Sequence, residues 1–127
     1  MANLLLIKLN PGWCSAMAQG HGISVLVRAA QITGETRFWD AAELALKPFT
    51  QDAKDGGVRN KFMNQYTWYE EYPFSDGLYV LNGFMYSMIG RVEYLSHEQN
   101  RYFLRLHPNN RFIRPSVRRR SSSKIEN

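Results

Sequence analysis

The chain has 127 residues, a length that suits one domain, and 44% of them are apolar, enough for a core. Its single cysteine, Cys14, excludes an internal disulfide. The net charge of +5 is unevenly spread: residues 1–98 carry eight Lys/Arg against ten Asp/Glu, whereas residues 99–127 carry eight against one, so the basic character belongs to the C-terminal end. Such an end is compatible with polyanion binding, and without a partner it reads as a solvated, disordered tail.

The run Leu4-Leu5-Leu6-Ile7 is broken by Lys8 and is too short for a signal segment or a membrane span, so this sequence shows neither address nor anchor. Asn10-Pro11-Gly12 predicts a turn. Ser15 is a candidate cap for a helix from Ala16 to about Ile32, with Ile23, Leu26, Val27 and Ala30 as its buried stripe. Gly20 and Gly22 each weaken that helix by about 1 kcal/mol relative to alanine, which points to close approach of another helix or of a ligand. Thr33-Gly34 ends it. Thr36 is a candidate cap for a second helix, Arg37 to about Lys47, with Phe38, Ala41, Ala42 and Ala45 inward and Pro48 closing it. The two form an αα-hairpin.

Asp55-Gly56-Gly57 predicts a turn and Val58–Met63 a short strand. The stretch Phe62–Gly90 then crowds Tyr66, Trp68, Tyr69, Tyr72, Tyr79 and Tyr86 around two adjacent acids, Glu70 and Glu71. Rings at this density usually mean core packing. A carboxylate among them must find donors or have its pKa raised. Pro73 stops regular structure, which leaves Glu71 and Tyr72 at an element end, a common place for working groups. After a Ser75-Asp76-Gly77 turn, a third helix is expected from Leu78 to Ile89. It places Tyr79, Asn82 and Tyr86 on one face and apolar Val80, Leu81, Phe84, Met85 and Met88 around most of the rest. Beyond Arg91 the periodicity decays. His107-Pro108-Asn109-Asn110 predicts a turn, and Arg118–Ser123 is low complexity.

Several chemistries are not supported. Cys14 and His21 lack zinc spacing, and His21 is most simply a packed or capping residue. No serine sits in a nucleophile elbow, and Gly20-His21-Gly22 lacks the remainder of a dinucleotide loop. No metal or cofactor is expected. Nor is nucleic acid, because the basic tail lacks interleaved aromatics.

Three separated segments carry a more specific signal: PGWCSAMAQGHGISVLVRA (residues 11–29), FMNQYTWYEEYP (62–73) and YVLNGFMYSMIG (79–90). Together they resemble the C-terminal catalytic domain of the D-glucuronyl C5-epimerase family. The resemblance covers about residues 10–91, leaving an N-terminal extension (1–9) and a divergent basic tail (92–127). It implies a mainly α fold, an incomplete (α/α) toroid of helical hairpins with a short β element. It implies epimerisation of D-glucuronic to L-iduronic acid in heparosan or N-sulfated heparan chains, a homodimer and a Golgi setting. It places Tyr72 on a catalytic tyrosine, Glu71 on the adjacent active-site acid, and Asn82 and Tyr86 on substrate-contacting positions. Cys14 stands where the family has a tyrosine. The family's later Thr-Ile-Tyr-Asp-Leu-Arg and Arg-Trp-Asp-Tyr-His motifs do not occur here. The expectation is that this chain alone does not epimerise heparosan. The alternative is a non-catalytic polyanion-binding fragment.

Overall fold

The structure is a computed structural model that describes residues 9, 11–73 and 76–106. The Leu4–Ile7 run, the His107–Asn110 turn and the Arg118–Ser123 stretch lie outside the described residues, as does Ser75 of the expected Ser75-Asp76-Gly77 turn. The chain is mainly helical: α1 (Ala16–Thr33), α2 (Thr36–Ala45), two short 3₁₀ turns (Lys47–Thr50 and Ala53–Asp55), β1 (Arg59–Phe62), β2 (Tyr66–Tyr69) and α3 (Leu81–Leu106).

Both ends of α1 follow local chemistry. The Ser15 side chain accepts from the Ala18 N–H at 3.3 Å, satisfying one of the free donors of the first turn. At the other end Gly34 takes the left-handed conformation (φ 72°) and its N–H bonds the Ala30 carbonyl at 2.9 Å. The chain reverses at Glu35, so α2 runs back along α1, and the Gln19 side-chain amide donates to the Ala45 carbonyl at 3.1 Å. Thr36 opens α2, but Glu35 holds the cap position and provides no side-chain bond to it. The inner face of α2 is Trp39 and Ala42, continued beyond the helix by Phe49; Phe38 is only half-buried. Trp39 stacks on Tyr94 of α3 with ring centroids 4.7 Å apart.

β1 and β2 form an antiparallel hairpin with Arg59 opposite Tyr69 and Phe62 opposite Tyr66. Met63 and Asn64 of its turn both have positive φ, 54° and 58°. Two further bonds tie the hairpin to the helices. Val58 N–H donates to the Pro48 carbonyl at 2.9 Å, and Ala16 N–H, at the start of α1, donates to the Glu70 carbonyl at 2.9 Å.

α3 begins three residues later than expected and runs 17 residues further, to Leu106, about 39 Å of helix. Tyr79 lies before it with φ 53°, so it does not share a helix face with Asn82 and Tyr86. α3 is parallel to α1: Gly20 meets Ser87 and Gly90, Arg28 pairs with Glu93 at 2.7 Å, and Gln31 bonds His97. This seam is built from small residues. Gly20 of α1 lies against Ser87 and Gly90 of α3, and all three are buried. A Cβ added to Gly20 would lie 2.6 Å from the Tyr86 carbonyl oxygen, and one added to Gly90 would overlap the Gly20 backbone. Gly20 thus answers to helix contact, as its place in α1 suggested, whereas Gly22 meets nothing within 4 Å.

Candidate active site

The site stands where β2 ends, against the N-terminal turns of α1 and α3. The two neighbouring acids have different surroundings. Glu70 is fully buried; it accepts from the Tyr79 N–H at 3.1 Å and from the Asn60 side-chain amide at 3.3 Å. Burial pushes its carboxyl above the ordinary glutamate value, while the Tyr79 N–H, the Asn60 amide and the Leu78 backbone pull the other way. Its partners hold β1 and the segment leading into α3, so Glu70 ties the framework of the site together. Beneath the hairpin, Tyr79 donates its phenol hydrogen to the Lys61 carbonyl at 3.0 Å and its ring packs on Phe62 and Trp68. Trp68 in turn stacks on Phe84 with centroids 4.4 Å apart.

Glu71 points the other way, against the first turn of α3. It is 8% exposed, and its side chain occupies the space that any side chain at Gly83 would need: a Cβ there would come within 2.5 Å of the Glu71 Cβ and 2.7 Å of its Oε2. Gly83 therefore lets the acid approach the helix backbone. Tyr72 follows on a bend and is 41% exposed. The Glu71 carboxyl beside its phenol, as acceptor and as negative charge, pushes the phenol above its ordinary value; slight burial adds to this. A phenol shifted this way keeps its proton. Tyrosine acting as a base would need the opposite, a cationic or strongly donating neighbourhood.

Asn82 and Tyr86 are both exposed, one turn apart on the face of α3 that starts beside Gly83. Tyr86 lies edge-on to His21 of α1, centroids 4.8 Å apart at 73°. The structure thus puts Glu71 and Tyr72 side by side, and Glu71 next to the turn that carries Asn82. The Tyr86–His21 pair lies further along the α1–α3 seam. Two exposed rings, Trp13 and His21, border these residues and were not singled out for the site in the sequence, where neither sits in a motif with a chemical spacing. No group of three or more His, Cys, Asp or Glu side chains suited to a metal ion occurs among the described residues, and no described helix is long and apolar enough to cross a membrane.

The arrangement is a helix-rich chain with an acid–phenol pair at the end of a hairpin, its acid lodged against a glycine of the next helix. A family model described as D-glucuronyl C5-epimerase C-terminus matches residues 3–107, and the chain belongs to that family. It is 55% identical over 84 residues to the D-glucuronyl C5-epimerase of Caenorhabditis elegans, a stretch that is 66% of this chain and 14% of the worm protein. It is 34% identical over 83 residues to an uncharacterised protein of Methanocaldococcus jannaschii, covering 63% of this chain and 27% of the archaeal one. The chain therefore spans well under a third of either relative.

Proposed function

We propose that this chain carries one acid–base wall of a site that epimerises D-glucuronyl residues at C5 in heparosan or N-sulfated heparan chains. The observation that carries the reading is the exposed Tyr72 phenol beside a Glu71 carboxyl that is lodged against Gly83 of α3, in a chain of this family. The hydrogen on C5 is α to a carboxylate, so the carbanion left by its removal would bear two negative charges, and each face of the sugar needs its own acid or base close to that carbon. Tyr72 serves one face, delivering its proton from the oxygen that Glu71 faces. In the opposite direction the same oxygen receives it. Asn82 and Tyr86 hold the sugar by hydrogen bonding along α3. The α1–α2 hairpin, with α3 parallel to α1, is the unit of an (α/α) toroid, here an incomplete one. A homodimer and a Golgi setting come with the family reading.

The opposite face requires a second acid–base residue, and the family's later tyrosine motifs do not occur in this sequence. The chain alone is therefore expected to give no iduronate from heparosan and no release of tritium from C5 above an enzyme-free blank. The site itself is tested by binding. Titration with a heparosan oligosaccharide should shift NMR signals of Tyr72, Asn82 and Tyr86, and a neutral glucan of equal length should not. Perturbation confined to residues 107–127 would replace this reading with the second one, a polyanion-binding fragment that works through its basic end. That alternative has its own support in the eight Lys/Arg of residues 99–127. A chain ending at Leu106, the last residue of α3, separates the two readings without dividing a helix.

A further inference from the structure

Trp13 takes no part in the acid–phenol pair, yet the chain fixes it firmly. It follows a Pro11-Gly12 turn in which Gly12 has φ 89°. Two residues later Ser15 caps α1, and the Ala16 N–H is bonded to the Glu70 carbonyl at 2.9 Å. The indole thus stands on a short segment anchored both to the helix and to the end of β2. It is nonetheless 44% exposed, whereas Trp39 is buried against Tyr94 and Trp68 is stacked on Phe84. Its ring centroid lies 6.0 Å from that of Tyr72, and the two planes are inclined at 41°.

Exposing so large an apolar ring forgoes the stabilisation that burying it would give. A rigid, solvent-facing indole beside the Tyr72 phenol is suited to a ligand with a flat apolar face. We infer that Trp13 is a stacking platform for the pyranose ring next to the uronate that meets Tyr72. This rests on the glycan-site reading above and adds a residue and a subsite to it. The C–H bonds on one face of a pyranose carry partial positive charge and meet the electron-rich face of the indole. The contact needs no charge, which matters here because Glu71 places a carboxylate in the site and a polyuronate brings more. The inclination between the rings suits two successive sugars and not one sugar spanning both. The edge-on His21–Tyr86 pair continues the ring-lined surface along α1 and α3.

The experiment uses the full chain, a heparosan oligosaccharide and tryptophan fluorescence quenched by acrylamide. Of the three tryptophans, Trp13 is the exposed one, so it dominates the accessible signal. Bound oligosaccharide should shield that signal. Trp13→Ala should weaken binding about tenfold, and Trp13→Phe, which keeps a ring, should weaken it only two- to threefold. Trp68→Phe should leave affinity unchanged. The shielding measurement needs no substitution, so it stands even if a variant folds poorly. Binding by the unsubstituted chain that leaves Trp13 open to acrylamide, or that Trp13→Ala does not weaken, overturns the stacking role alone. Failure of the unsubstituted chain to bind overturns it together with the glycan site.

Discussion

Two adjacent glutamates divide the labour at the end of β2. Alternation along an extended chain sends Glu70 inward and Glu71 toward the helix that follows. Replacing Glu70 with alanine leaves the Tyr79 N–H and the Asn60 amide without their acceptor and opens a cavity, so a loss of about 2–4 kcal/mol is expected in a denaturant titration. Glu70→Gln tests the electrostatic part. Folding raises the carboxyl of Glu70 above its reference value of 4.5, so the native state holds that proton more tightly than the unfolded one. Its contribution to stability is complete below the unfolded value and is lost as pH rises through the native value. The glutamine variant should lose this fall, and its curve should cross the parent's if it folds; an unchanged profile would mean that the hydrogen-bond donors balance burial. Tyr72 is a different case. It is exposed, so Tyr72→Phe should alter stability by no more than about 0.5 kcal/mol. It should also remove the shift of the phenol signal that a bound uronate produces.

At the scale of elements, α1 holds two glycines two residues apart that the structure treats oppositely. Gly20 faces the α3 backbone with no room for a side chain, while nothing lies within 4 Å of a Cβ at Gly22. Gly20→Ala should cost about 1–3 kcal/mol by forcing the helices apart. Gly22→Ala should gain about 0.5–1 kcal/mol by stiffening the unfolded chain and the helix together. Paired thermal melts of the two variants provide the check, and equal effects would contradict the parallel seam. The same seam explains what the sequence did and did not disclose. The boundaries of α1 were legible because Ser15 and Gly34 act locally, through a hydroxyl and a left-handed residue. The continuation of α3 to Leu106 was not, because beyond Gly90 its contact with α1 relies on Glu93 and His97 paired with Arg28 and Gln31, and such pairs make no apolar stripe. In α2 the expected Ala42 and Ala45 do face the core, but the ring that joins them is Trp39 and not Phe38, because Tyr94 from α3, a partner distant in sequence, stacks on it. β2 escaped notice because Tyr66–Tyr69 reads as ring packing of any kind until β1 pairs with it. At the site, the neighbourhood of Glu71 and Tyr72 was readable from Pro73 and the resemblance. The separate role of Glu70 depended on Tyr79 leaving the helix, which no local pattern announces.

For the whole molecule, the burial ledger is uneven. The core of α1, α2 and the hairpin is closed by Ile23, Val27, Trp39, Phe49, Val58 and Tyr94. The long helices nevertheless leave Val25, Ile32, Met85, Ile89 and Val92 exposed. Met85 and Val92 lie on the far side of α3 from Ser87 and Gly90, which meet α1. A toroid of hairpins covers such faces with its neighbouring hairpin, and apolar surface left open in water favours association. Purified alone, the chain is expected to sediment as oligomers and to melt broadly. Replacing Met85, Ile89 and Val92 together with glutamine should shift the distribution toward monomer without loss of helix, because glutamine is a fair helix former and these side chains leave the core intact. A monomeric parent with a sharp cooperative melt would show that the three helices and their hairpin are sufficient by themselves. If the triple variant instead lost helicity at low concentration, the exposed face would be part of the fold's own stability, and association would be a condition of folding for this chain rather than a consequence of it.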